Sequence, residues 1–145
     1  MHGAGRTLTN LPQLTDAMVA AFERAPPANS GAPARRVVLF DSGALSVAEQ
    51  VSLYARADAV IGVHGAGFAN VLWAPEGCDV VEIVPIDVHL DFQCGLTPFW
   101  LVAELLGLRK HAFVAYAGRM FEPFELPLRE FGAFLVASGV LAEAG

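Results

Sequence analysis

Basic residues are scarce in this chain, and lysine is nearly absent. Nine Lys and Arg stand against fifteen Asp and Glu, which gives a net charge of −6, and Lys110 is the only lysine. A protein that follows a nucleic-acid backbone needs a basic stripe, and this sequence has none. We therefore expect no nucleic-acid partner.

Cysteine is also rare, with Cys78 and Cys94 as the two examples. They are sixteen positions apart and have no histidine at the spacing of a zinc site. The pattern favours two independent, partly buried thiols and predicts no metal site. It leaves a single disulfide between them open.

Long apolar runs are missing as well. The longest one lies between Glu130 and Glu143, well short of the roughly 20 apolar residues that span a bilayer. The first ten residues have no apolar core behind a basic start, so they do not predict a signal peptide. We expect no membrane segment in this chain, and any secretory targeting segment would lie outside it.

What the chain does have is apolar residues in short, patterned stretches. Its 145 residues are 54% hydrophobic, with a mean hydropathy of +0.48, enough to fill the core of one domain over residues 1–145. Short β-branched runs predict strands at residues 36–40, 59–63, 79–84 and 111–116, the third of them stopped by Pro85.

Helical spacing of apolar residues separates these strands. It predicts helices that begin at Asn10 and Ser46, a helix capped by Thr97 that ends near Gly107, and a closing helix over residues 128–144. Ser46 and Glu49 stand three apart, as in a capping box. A Pro- and Gly-rich loop is expected at residues 26–34. Alternating strands and helices predict an α/β fold with a parallel sheet and helices on its faces.

The motif VHGAG stands at the carboxyl end of the predicted strand 59–63, where parallel sheets bind ligands. Gly65 and Gly67 allow positive φ and close approach of a ligand, and a helix that begins by about Phe68 or Asn70 offers N–H groups to an anion. His64 adds a donor for a phosphate. The residues alone leave two interpretations open, a diphosphate site and a tight corner with a rim histidine.

Acidic residues follow in the next strand. Glu82 lies among β-branched neighbours, where it either accepts ribose hydroxyls from a nucleotide or faces water from an edge strand. Asp87, His89 and Asp91 alternate, which would place them on one face of an extended segment. We favour a solvated loop over a metal or acid–base cluster there.

Residues 45–85, LSVAEQVSLYARADAVIGVHGAGFANVLWAPEGCDVVEIVP, resemble the signature block of glycosyltransferase family 61. This family includes plant xylan xylosyl- and arabinosyltransferases and animal O-linked N-acetylglucosaminyltransferases. The resemblance extends from about Arg6 to Leu108 and rests on HGAG, Asn70, the Pro75–Gly77 turn and Glu82 before Pro85. Val63, Phe68 and Ala69 depart from the family pattern.

The resemblance implies a Rossmann-like sheet that forms the C-terminal, donor-binding half of a GT-B enzyme, with the N-terminal half absent from this chain. It implies inverting, metal-independent transfer from a nucleotide-sugar, with UDP-sugar as the expected donor and no further cofactor. A glycan or glycoprotein would be the acceptor, in the Golgi or endoplasmic reticulum lumen. The donor-binding residues would be Arg6, His64, Gly65, Ala66, Gly67, Asn70 and Glu82.

Within that scheme His64 holds the diphosphate and is the one candidate for catalysis in this chain. The general base is expected mainly from the absent domain. A second hypothesis keeps the fold without catalysis, as a nucleotide-binding or interaction module that self-associates through apolar surface. A third hypothesis, that the chain is half of a nucleotide-dependent dehydrogenase, has less support because the strand-to-helix turn lacks G-x-G-x-x-G.

Overall fold

The computed structural model describes residues 7–23, 35–87, 98–117 and 122–141. The helices described there are α1 (Leu11–Phe22), α2 (Val47–Tyr54), α3 (Pro98–Leu105) and α4 (Leu128–Ala137), and a 3₁₀ helix spans Ala66–Trp73. The strands are β1 (Ala59–Val63), β2 (Asp79–Asp87) and β3 (Arg109–Ala117), all parallel. The predicted α/β class, with a Rossmann-like parallel sheet and helices beside it, is confirmed.

The chain divides into two compact units. The sheet unit comprises residues 1–7 and 42–124 and contains β1, β2 and β3 with α2, α3 and the 3₁₀ helix. The helical unit comprises residues 8–41 and 125–145 and contains α1 and α4. The prediction of a single domain over residues 1–145 stays a prediction.

The sheet has the order β1-β2-β3, so β2 is the central strand. Val80, Val81 and Ile83 are fully buried, although successive residues of a strand point to opposite faces. Both faces of β2 are therefore covered, as in α/β proteins whose parallel sheets lie between layers. This burial explains why β2 is a nearly continuous β-branched run.

Pro85 does not stop β2, which continues to Asp87 opposite β3. The carbonyl of Ile83 accepts from His64 on the β1 side, so Pro85, two residues later, also directs its backbone to that side. β1 has already ended at Val63. A backbone N–H at residue 85 would therefore have no β1 acceptor beside it, so the proline costs no hydrogen bond there. The hydrogen bonds between β2 and β3 are made on the other side of β2 and are unaffected.

The predicted strand at residues 36–40 is wrong. The segment has no regular structure, and Val38 and Leu39 are exposed. The amide of Val37 donates to the carboxylate of Glu23 at 2.7 Å. A β-branched run forms a strand only where a neighbouring strand and a face to bury are present, because strand propensity mainly reflects packing.

Two helix ends in the sheet unit agree with the sequence. Ser46 Oγ accepts from the Glu49 amide at 3.3 Å, and Glu49 accepts from the Ser46 amide at 2.8 Å, which is the predicted capping box. Gly107 has φ +66° just after α3, and the Leu108 amide donates to Ala103 O at 2.8 Å. This is the glycine-terminated helix end expected there.

Asn10 stands directly before α1, but its side chain does not cap the helix. Its Nδ2 donates to Leu126 O at 2.8 Å, and its Oδ1 accepts from Leu126 N at 3.0 Å. Asn10 therefore joins two segments of the helical unit that are far apart in sequence, which corrects the predicted cap. α4 ends at Ala137, earlier than predicted, because Gly139 takes φ +75°.

No helix in the described ranges combines the length and apolar composition of a membrane span. The predicted loop at residues 26–34 and the predicted cap Thr97 lie outside the described residues.

Candidate functional site

His64 is positioned by the end of β1. Its amide donates to the carbonyl of Ile83 at 2.8 Å and so extends the β1–β2 ladder by one residue. Gly62 pairs with Glu82, and His64 lies two residues beyond Gly62. The side chains of His64 and Glu82 therefore lie on the same face of the sheet.

On this face, Nδ1 of His64 lies 2.5 Å from Oε1 of Glu82. The Glu82 side chain is 2% exposed, since it projects from the central strand. The alternative that placed Glu82 on an edge strand facing water is wrong. An ionised carboxylate only accepts hydrogen bonds, so Nδ1 of His64 carries the proton and donates it to Glu82.

The second oxygen of Glu82 accepts from Nζ of Lys110 on β3. Lys110 pairs with Val80 in the register, one step diagonally from Glu82, and its side chain is 4% exposed. His64, Glu82 and Lys110 thus form a row across β1, β2 and β3, which we name the buried triad. Lys110 is not among the site residues that the sequence predicts.

The charges of the buried triad depend on one another. Burial raises the pKa of Glu82, but hydrogen bonds from Lys110 and His64 and their charges lower it more, so that it lies below its ordinary 4.5. Burial lowers the pKa of Lys110, and the hydrogen bond and charge of Glu82 oppose this only in part. Glu82 is therefore a carboxylate at neutral pH.

Aromatic rings cover the buried triad. The Lys110 ammonium lies 5.5 Å from the Phe68 ring centroid and 5.8 Å from that of Trp100. The Phe99 ring stands edge-on to His64 at 6.3 Å. These rings come from the 3₁₀ helix and α3. They exclude water, which strengthens the hydrogen bonds within the buried triad.

The HGAG turn is open rather than conformationally special. Gly65 is extended, with φ 167°, and neither Gly65 nor Gly67 lies in the left-handed region, so the turn does not use the positive φ that glycine allows. Among the described residues, a Cβ built on Gly67 meets nothing within 4 Å, and one on Gly65 meets only Val63 O at 3.9 Å. The glycines therefore leave space beside the main chain, as close approach of a ligand requires.

A 3₁₀ helix follows the turn at once, beginning at Ala66, earlier than predicted. The Phe68 amide donates to Gly65 O at 3.0 Å and closes its first turn. The amides of Ala66 and Gly67 precede that bond, so they have no acceptor within the helix. They lie next to His64 in the chain, and both suit an anion.

The model of the family Glycosyltransferase 61 matches residues 2–81, more than half of the chain. The chain belongs to glycosyltransferase family 61. No curated protein and no solved structure matches it. The family match includes His64 and the HGAG turn and ends just before Glu82.

Membership confirms the family resemblance and assigns the chain to a group of glycosyltransferases, enzymes that use a sugar donor and a glycan acceptor. It does not reach Glu82 or Lys110. Lys110 is thus assigned to the site by geometry alone, and Glu82 by geometry together with the sequence resemblance.

The remaining site residues predicted for this family 61 chain are not part of the buried triad. Asn70 donates from Nδ2 to Gln50 Oε1 at 3.1 Å and so joins the 3₁₀ helix to α2. Arg6, His89 and Asp91 lie outside the described residues, and so does Cys94. Within the described ranges, His, Cys, Asp and Glu do not gather in a group of three or more that would suit a metal ion.

A second charged cluster lies at the amino ends of β2 and β3. Asp79 accepts from Arg109 at 2.8 and 2.5 Å and contacts Nε2 of His111 at 2.9 Å. Burial raises the pKa of Asp79, but hydrogen bonds and charges from Arg109 and His111 lower it more, to below 3.8. This cluster lies at the sheet end opposite to the one where parallel sheets bind ligands.

One signal in the sequence could have identified Lys110. It is the only lysine and directly precedes the predicted strand at residues 111–116. The observed β3 begins two residues earlier, at Arg109, which places Lys110 inside the sheet. The cross-strand register that brings it to Glu82 is not readable from local pattern.

Proposed function

We propose that this family 61 chain binds the nucleotide-sugar donor, with the diphosphate at the carboxyl end of β1. The position of His64 supports this most strongly. His64 directly follows β1, and the buried carboxylate of Glu82 holds its side chain. Gly67, three residues further on, leaves space beside the main chain. A histidine, amides without an acceptor in the 3₁₀ helix, and space among the described residues at this end of a parallel sheet match the needs of a diphosphate.

The diphosphate gains negative charge as it leaves the sugar, and the site offers donors for it. The amides of Ala66 and Gly67 donate without prior partners in the helix. A protonated imidazole donates from both nitrogens, so His64 can donate from Nδ1 to Glu82 and from Nε2 to a phosphate oxygen. Fixed donors of this kind stabilise developing charge without reorganisation at the moment of reaction.

The reaction we propose is an inverting transfer that needs no divalent metal. The acceptor hydroxyl oxygen bonds to the anomeric carbon while the bond from that carbon to the diphosphate oxygen breaks. The diphosphate keeps the electron pair, and the hydroxyl proton passes to a general base. We assign that base to the other half of a GT-B cleft, which the acceptor faces, and UDP-sugar is the proposed donor.

The predicted roles of Asn70 and Glu82 as donor ligands stay predictions. Asn70 contacts Gln50, and the two carboxylate oxygens of Glu82 accept from His64 and Lys110. Glu82 thus has a function at the site through His64, whether or not a ribose also reaches it. Arg6 remains a proposed ligand from outside the described residues.

Isothermal titration with UDP tests the proposal. We expect saturable binding that is unchanged by EDTA and is lost in His64→Ala. His111→Ala is the matched control, since His111 also pairs with a carboxylate and its side chain is 17% exposed against 16% for His64. Binding retained in His64→Ala, or absent from the folded wild type for every nucleoside diphosphate, would contradict the proposal.

A second candidate function is an interaction module without catalysis. It is favoured by exposed apolar side chains of the sheet unit, Leu101 and Leu105 on α3 and Tyr116 on β3. It predicts self-association by light scattering. A monomer that transfers sugar from a nucleotide-sugar would refute it.

A further inference from the structure

Lys110 and Glu82 are not explained by the stability of the sheet alone. Both side chains are almost completely buried, at 4% and 2% exposure, on a face covered by Phe68, Phe99 and Trp100. Replacing a buried ion pair by apolar residues of similar volume is often neutral or stabilising. Lys110 occupies a position where the sheet would accept an apolar side chain, so its ammonium calls for a role beyond packing.

Lys110 acts on Glu82, and Glu82 acts on His64. The carboxylate has one oxygen toward each partner, with Lys110 on Oε2 and His64 on Oε1. The lysine therefore determines the rotation of the carboxylate and leaves Oε1 to accept from Nδ1. Among the described residues, the 3₁₀ helix and α3 bring Phe68, Phe99 and Trp100 to this cluster, and these rings carry no charge.

We propose that Lys110 is a positioning residue of the donor site, which holds one oxygen of Glu82 so that the other faces His64 and keeps the proton on Nδ1. With Nδ1–H directed to Glu82, Nε2 is the nitrogen that we assign to the donor diphosphate. The effect of Lys110 on donor binding rests on the proposed function. The tautomer itself is a property of the unliganded protein.

Glu82→Gln exposes the role of Lys110, because an amide has only one acceptor atom. Lys110 can only donate, so it takes the amide oxygen and turns the NH₂ group toward His64. The Nδ1 atom must then accept, and the proton moves to Nε2. Adding Lys110→Met releases the amide oxygen to His64, and Nδ1–H becomes favourable again.

The experiment is ¹⁵N NMR of the histidine rings, recorded where the imidazole is neutral and assigned with His64→Ala. We expect Nδ1–H in the wild type, a shift to Nε2–H in Glu82→Gln, and a return toward Nδ1–H in Glu82→Gln/Lys110→Met. An unchanged tautomer in Glu82→Gln, or no return in the double variant, overturns the proposal. Neither variant leaves a buried carboxylate without its lysine partner. The comparison therefore does not require that the single variant Lys110→Met folds.

UDP titration then separates this proposal from the proposed function. We expect Glu82→Gln to weaken UDP binding about tenfold, because the imidazolium loses a charge-assisted hydrogen bond. Lys110→Met should add little in the Glu82→Gln background. If Lys110→Met weakened UDP binding by the same factor in the wild type and in Glu82→Gln, Lys110 would contact the ligand itself, which overturns the positioning role. A tautomer switch without any UDP binding would support the positioning of His64 and contradict only the donor site.

Discussion

Removing the lysine of the buried triad should destabilise the protein strongly. Lys110→Met leaves Glu82 as a carboxylate that is 2% exposed, with His64 as the remaining donor of the buried triad. Breaking a buried ion pair costs about 3–5 kcal/mol, because the remaining charge is neither solvated nor fully paired. Since His64 still donates to Glu82, we expect the lower end, about 3 kcal/mol of unfolding free energy.

Urea unfolding measures this loss. With a slope of about 2 kcal/mol per molar urea, a loss of about 3 kcal/mol lowers the midpoint by about 1.5 M. Tryptophan fluorescence is the suitable probe, because Trp73 and Trp100 both belong to the sheet unit. Far-UV circular dichroism on the same samples reports the helices of both units.

Two further variants decide whether charge is the cause. Glu82→Leu/Lys110→Met removes both charges and should recover at least half of the lost midpoint, since an apolar pair is tolerated in such a position. Arg109→Met is the matched control. Arg109 is the neighbouring cation on β3 and is also ion-paired, but its side chain is mostly in water, so its loss should lower the midpoint far less.

The reasoning would be refuted by a Lys110→Met midpoint equal to that of Arg109→Met. It would also be refuted if Glu82→Leu/Lys110→Met were as unstable as Lys110→Met alone. In that case the packing of the lysine stem, rather than the loss of its charge beside Glu82, would carry the effect.

Three other predictions follow from single observations. Gly67→Ala should keep the urea midpoint, because its methyl group meets no atom of the described residues within 4 Å. It should weaken UDP binding about tenfold by filling the space beside the main chain; equal affinity by calorimetry would contradict this. The pKa values of Glu82 and Asp79 lie below their ordinary 4.5 and 3.8, so the stability they contribute is present above those values and is lost as pH falls below them. Urea midpoints at stepped pH should show that loss, and Asp79→Asn should reduce it; equal pH dependence in the variant would count against it. In Cys94→Ser, Cys78 should resist Ellman's reagent at neutral pH until urea unfolds the protein, because burial raises its pKa to about 11; rapid labelling of the native variant would refute this.

Local sequence was sufficient wherever a feature depends on neighbours within a few residues. The Ser46–Glu49 capping box needs only three-residue spacing, and it formed as predicted. β1 ended at Val63 and brought His64 to the carboxyl edge of the sheet. Gly107 ended α3, because left-handed backbone at a helix end strongly favours glycine.

Local pattern was insufficient where distant segments had to meet. The run at residues 36–40 has strand composition but found no strand in the described part of the sheet, whereas Pro85 stayed within a strand because β1 had ended beside it. Asn10 was predicted as a cap and instead binds Leu126, more than a hundred residues away. Each outcome depends on a partner whose position the local spacing does not contain.

The sequence by itself determined the class of the fold, the family and the place of His64 at the end of a parallel strand, because these depend on short-range pattern and a specific motif. Only the tertiary structure decided that Glu82 is a buried central-strand residue between His64 and Lys110. The physical reason is register. Which residues of β1, β2 and β3 lie side by side is set by pairing and packing across the sheet, and one step of register would move Lys110 to the opposite face.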